Sequence, residues 1–143
     1  MAISGKLYGN ILVAALNEEI DWMADTIKVA LCTGSYVPSQ ANHNNFDDVT
    51  NEISGTGYTA GGETLTGKSI SYSDADKAVL LGADDVMWSS ASFTARYGVI
   101  YQDTGTPATS LLIGYVDFGQ TKSTLGGNFA ILWNSSGMLK LNV

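Results

Sequence analysis

The chain has 143 residues, 45% hydrophobic and 15% charged, with seven Lys and Arg against fourteen Asp and Glu for a formal net charge of −7. That length and hydrophobic content support one domain with a real core and exclude a disordered chain. The basic residues are scattered singly, so no surface concentrates the positive charge that phosphate binding needs, and nucleic acid is excluded as a direct partner.

Residues 6–20, KLYGNILVAALNEEI, read as one amphipathic helix. Leu12, Leu16 and Ile20 recur at four-residue spacing, and Leu7, Ile11 and Ala14 line a neighbouring strip. Ser4 is a candidate N-cap. Glu18, Glu19 and Asp21 crowd the far end, where the helix dipole disfavours negative charge, so a stop near Asn17 is expected. Two placements are open for this helix: packed over one end of its own sheet, or an arm that docks on a neighbour. The apolar run 11–16 is far short of the ~20 residues that span a bilayer, so no membrane partner is expected. Lys6 followed by an apolar stretch and Val13-Ala14-Ala15 imitates a signal peptide, but Gly9 and Asn10 interrupt it. The expectation is a chain made in the cytoplasm and not secreted.

From Thr26 the period changes to two. Ile27, Val29 and Leu31 point one way, and Lys28, Ala30 and Cys32 the other, as in a strand. Cys32 is the only cysteine, so no intrachain disulfide can form, and its apolar strand predicts a buried, inert thiol. Residues 34–45 are polar with Pro38 and read as a loop or short helical turn. Residues 55–62 are a turn-rich connector. A strand follows over 64–72, a turn at Asp74 and Asp76, and a strand over 77–81. Another segment begins at Asp84. Residues 93–102 form a strand with Ala95, Tyr97, Val99 and Tyr101 on one face. Residues 111–118 are nearly continuous apolar, as in a strand covered on both faces. Phe129, Ile131 and Trp133 alternate, residues 135–137 turn, and 138–143 form a last strand. Roughly seven strands with regular turn signals predict a mainly β chain, an antiparallel β-sandwich with one N-terminal α-helix. It forms a single domain, 1–143, with an arm over 1–22 and the sandwich over 23–143.

Chemistry-bearing patterns are sparse. Gly55-Thr56-Gly57-Tyr58-Thr59-Ala60 matches G-x-G-x-x-A, but a dinucleotide site needs a helix next, and Gly61, Gly62 and Gly67 amid Thr and Ser are poor helix material. The glycines are better suited to positive φ in a chain reversal. Asp47-Asp48 and Asp84-Asp85 lack calcium-loop spacing, and adjacent strand residues face opposite ways. Asp47 or Asp48 capping a turn is the expected role. His43 is the only histidine and sits in a polar loop, with no zinc pattern and no G-x-S-x-G. Neither an enzyme nor a cofactor is expected. Trp22, Trp88, Trp133 and seven Tyr could form a sugar platform, although aromatic residues in strands mostly pack.

One string is distinctive: FDDVTNEISGTGYTAGG, residues 46–62. With DTIKVAL at 25–31, TARYGVIYQDTG at 94–105 and LIGYVDFG at 112–119, it resembles the signature of a family of small tailed-phage and prophage virion structural proteins. The likeness spans roughly residues 22–142 and implies a virion protein. Its best-matching role is a capsid decoration, or cement, protein that binds and stabilises the assembled head, with the major capsid protein or other virion proteins as partners. Such proteins are often homo-oligomers, and trimers suit the three-fold positions of a capsid. A neck, tail or baseplate component and a surface-displayed glycan-binding module are the alternatives. The candidate contact is the N-terminal apolar face: Leu7, Tyr8, Ile11, Leu12 and Leu16.

Overall fold

A computed structural model describes residues 2–143. The chain is mainly β, with two antiparallel sheets and one short helix near the N-terminus. Strands β1 (Ala2–Ile3) and β2 (Lys6–Leu7) lead into helix α1 (Ile11–Leu16). Then come β3 (Ile27–Cys32), β4 (Glu63–Thr64), β5 (Ser69–Ser73), β6 (Ala78–Gly82), β7 (Val86–Gln102), β8 (Leu112–Trp133) and β9 (Leu139–Asn142). The larger sheet runs β1-β8-β7-β3-β4, with β2 also on β8; the smaller runs β5-β6-β9. Pairing is antiparallel except for β1, which runs parallel to β8.

The strand alternation at 27–32 holds. Ile27, Val29 and Leu31 enter the main core between the sheets, where they join Trp88, Ile113, Ile131 and Leu139. Ala30 and Cys32 enter a second cluster on the opposite face, with Tyr8, Tyr36, Val99, Tyr101 and Leu112. The larger sheet is therefore buried on both faces around β3. The run at 112–116 reads the same way, with Leu112 in one cluster and Ile113 and Val116 in the other.

Four expectations are corrected. Residues 6–20 are not one helix. Lys6 and Leu7 pair with Tyr115 and Gly114 of β8, and only 11–16 are helical. The Leu7 N-terminal segment satisfies its backbone on an open sheet edge, and no side chain caps α1 at Asn10. The strand at 64–72 is two strands in different sheets. Thr64 pairs with Lys28 and Ser69 with Gly82, and Gly67 at φ +60° turns the corner between them. Residues 86–102 and 112–133 are two long strands with register shifts between them rather than several short ones, and the described residues form nine strands, three of them two residues long. Finally, Ala95 does not share a face with Tyr97, Val99 and Tyr101. A register shift between Ala95 and Tyr97 sends Ala95 to the main core and the other three to the second cluster.

Candidate interaction surface

The distinctive loop is a clamp built on β3 and β7. Glu52 makes an isolated bridge with Cys32, and Thr56 makes one with Ser92. The Glu52 carboxylate accepts the Tyr58 hydroxyl at 2.6 Å and the Gly61 N–H at 2.7 Å. Tyr58 in turn accepts the Leu31 N–H at 3.0 Å. Burial and the neighbouring Glu52 hold the Tyr58 phenol protonated, with its pKa raised above the ordinary tyrosine value. Tyr101 donates to the Gly61 carbonyl at 2.6 Å. Gly55, Gly57, Gly61 and Gly62 all adopt positive φ, as expected of a chain reversal. At Gly62 the constraint is absolute, since a Cβ would lie 1.9 Å from the Val29 carbonyl oxygen. The chain then enters β4, not a helix, so no phosphate cradle follows the glycines.

Three of the four paired acids, Asp48, Asp84 and Asp85, hold local structure. Asn45 and Asp48 form a capping box around the 3-10 turn Phe46–Asp48. The Asp48 carboxylate accepts the Asn44 and Asn45 N–H groups, which holds its pKa below the usual carboxylate value. Asp85 accepts the Trp133 N–H at 2.8 Å, and Asp84 accepts the Thr66 hydroxyl at 3.2 Å. Among the described residues, no group of three His, Cys, Asp or Glu is placed to hold a metal ion. His43 Nδ1 faces the Tyr36 hydroxyl at 3.0 Å and the Ser39 N–H at 3.3 Å, and its ring stacks on Tyr36. It is a loop brace with no carboxylate partner. Cys32 is fully buried, and burial, then Glu52, pushes its thiol up to about 12.

The three tryptophans pack in the main core, so they form no exposed platform. Trp22 donates to the Ser69 carbonyl and Trp133 to the Asp84 carbonyl, each at 3.0 Å. No described helix is long and apolar enough to cross a membrane.

The N-terminal contact candidates divide by position. Tyr8 is fully buried, its hydroxyl 2.8 Å from that of Tyr36, and Ile11 is 4% exposed in the main core. Leu7 is half-buried against that core. These three are engaged within the chain. Leu12 (47% exposed) and Leu16 (86%) face solvent, and Val13 (55%), absent from the sequence-based set, joins them. Sequence periodicity alone could not separate the two faces, because nearly every position from 11 to 16 is apolar. Glu18 and Glu19 follow immediately and are exposed. The outward side of α1 is thus an apolar patch with an acidic border.

Comparison with known proteins found no matching family model, no similar curated protein and no similar solved structure.

Proposed function

We propose that the protein is a structural component of a phage particle: a decoration protein that binds the assembled head through the outward side of α1. The observation that carries the reading is the fate of the four family-like segments. Residues 25–31, 46–62, 94–105 and 112–119 converge on β3, β7, β8 and the clamp between them, where their side chains serve packing and backbone hydrogen bonds. Three of the exposed large apolar side chains, Leu12, Val13 and Leu16, fall within the single six-residue helix α1, whereas others such as Val37, Leu125 and Val143 lie elsewhere along the chain. An exposed cluster of large apolar side chains beside a polar border is the usual mark of a protein contact. Repetition over a lattice then turns a modest affinity into firm attachment.

Quantitative gel analysis of purified virions tests the reading. A decoration protein is present at hundreds of copies per particle, whereas a neck or tail-tip protein numbers a dozen or fewer. Light scattering of the free protein tests the trimer that a three-fold lattice position suits.

A further inference from the structure

A cleft of about 330 Å³ lies where β2, β7, β8 and the 33–45 loop meet, walled by Lys6, Val37, Pro38, Tyr97, Tyr115 and Asp117. Its size lies at the small end of ligand pockets. Two features suit it to a ligand.

The first is a braced aromatic wall. Tyr97 and Tyr115 are half-buried, and both line the cleft. Tyr8 packs behind Tyr115 with centroids 5.3 Å apart, and Tyr36 meets Tyr97 at 6.0 Å and 89°. Tyr8 and Tyr36 are themselves joined through their hydroxyls. The wall is therefore held in place before any ligand arrives, which lowers the ordering cost of binding.

The second is the arrangement of charge. Arg96 grips Asp117 through Nε at 2.7 Å and Nη2 at 3.3 Å, and its guanidinium sits 5.5 Å from the Tyr97 ring centroid. This pair presents planar donors and acceptors side by side. Lys6 stands opposite Tyr115 in the β2–β8 register, is exposed, and makes no ion pair among the described residues. The cleft lining thus carries one cation, Lys6, and one anion, Asp117, whose charge is already offset by Arg96 outside the lining, so Lys6 is the cation left for a ligand.

We propose that this cleft binds an acidic saccharide. A sugar ring packs against Tyr97 and Tyr115, its hydroxyls bond to the Arg96–Asp117 pair, and its carboxylate meets Lys6. A peptide strand fits less well, because β2 already occupies the β8 edge beside the cleft at Tyr115 and Gly114.

The test is an NMR titration of the full chain, with tyrosine rings labelled, against three probes: trigalacturonate, neutral trigalactose and acetate. Trigalacturonate is expected to shift the Tyr97 and Tyr115 signals with millimolar or tighter affinity. The Lys6→Gln variant is expected to bind it about tenfold more weakly, the loss of one charge-assisted contact. Lys6 is exposed, so an unchanged near-ultraviolet spectrum verifies that the variant is folded. Absence of shifts at those two tyrosines overturns the proposal. So does equal affinity for the neutral sugar, saturation of the same signals by acetate with equal affinity, or a Lys6→Gln variant that binds as tightly as the parent chain.

Discussion

At the scale of single residues, the clamp concentrates the strongest constraints. Gly62→Ala forces a Cβ against the Val29 carbonyl at a positive φ, and a loss of more than about 2 kcal/mol is expected in urea unfolding. Glu52→Gln keeps the shape but removes the charge that accepts from Tyr58 and Gly61, with an expected cost of about 1–3 kcal/mol by the same measurement. Three carboxyls titrate below the ordinary range. Asp48 does so through the backbone N–H groups of Asn44 and Asn45, Asp103 through Gly105 N–H and then Lys28, and Asp117 through Arg96. A folded pKa below the unfolded one means stability is fully present above the unfolded value of about 3.9 and is lost as pH falls through the folded values. Urea midpoints should therefore decline below about pH 4, and the decline should be shallower in an Asp48→Asn chain. The glycine loop shows what was legible at this scale. Its positive-φ role could be read from the string of glycines, whereas the Glu52–Tyr58–Leu31 linkage could not, because those partners meet only when the loop folds onto β3.

At the scale of elements, α1 divides into two faces with opposite expected behaviour. Ile11→Ala opens a hole in the main core and should cost about 2–4 kcal/mol in thermal or urea unfolding. Leu12→Ser and Leu16→Ser remove exposed side chains and should change stability by less than about 0.5 kcal/mol. On the proposed function, the double serine variant should lose head binding while remaining folded. Sedimentation of emptied heads with added protein measures this, and full occupancy by that variant would sink the assignment of the contact. The strands tell a parallel story. Alternation at 27–32 located β3 within a residue because no bulge interrupts it. In β7 the register shift at Ala95 and Tyr97 reverses the faces mid-strand, and alternation in the sequence carries straight across it. The 64–72 segment failed for a related reason: its composition suits strand throughout, but the chain changes sheets at Gly67.

At the scale of the whole molecule, the N-terminal segment is part of the fold and not a detachable arm. Removing residues 1–20 would take away β2, Tyr8 and Ile11 together, exposing both core clusters. Such a chain is expected to unfold cooperatively at a much lower temperature than the parent, or to collect as insoluble protein, so point substitutions on α1 are the informative probe of binding. The sequence by itself determined the mainly β class, the burial of the 112–116 run on both faces, the buried cysteine and the turn chemistry of residues 46–62. These follow from local rules: side-chain period, glycine conformation and the affinity of carboxylates for free N–H groups. Tertiary structure alone decided which apolar residues near the N-terminus stay outside, where β7 turns over, and how Tyr97, Tyr115, Lys6 and Asp117 come to share a cleft. Those outcomes depend on contacts between segments far apart in the chain, and hydrophobicity, being non-directional, does not say which apolar side chain will find a partner.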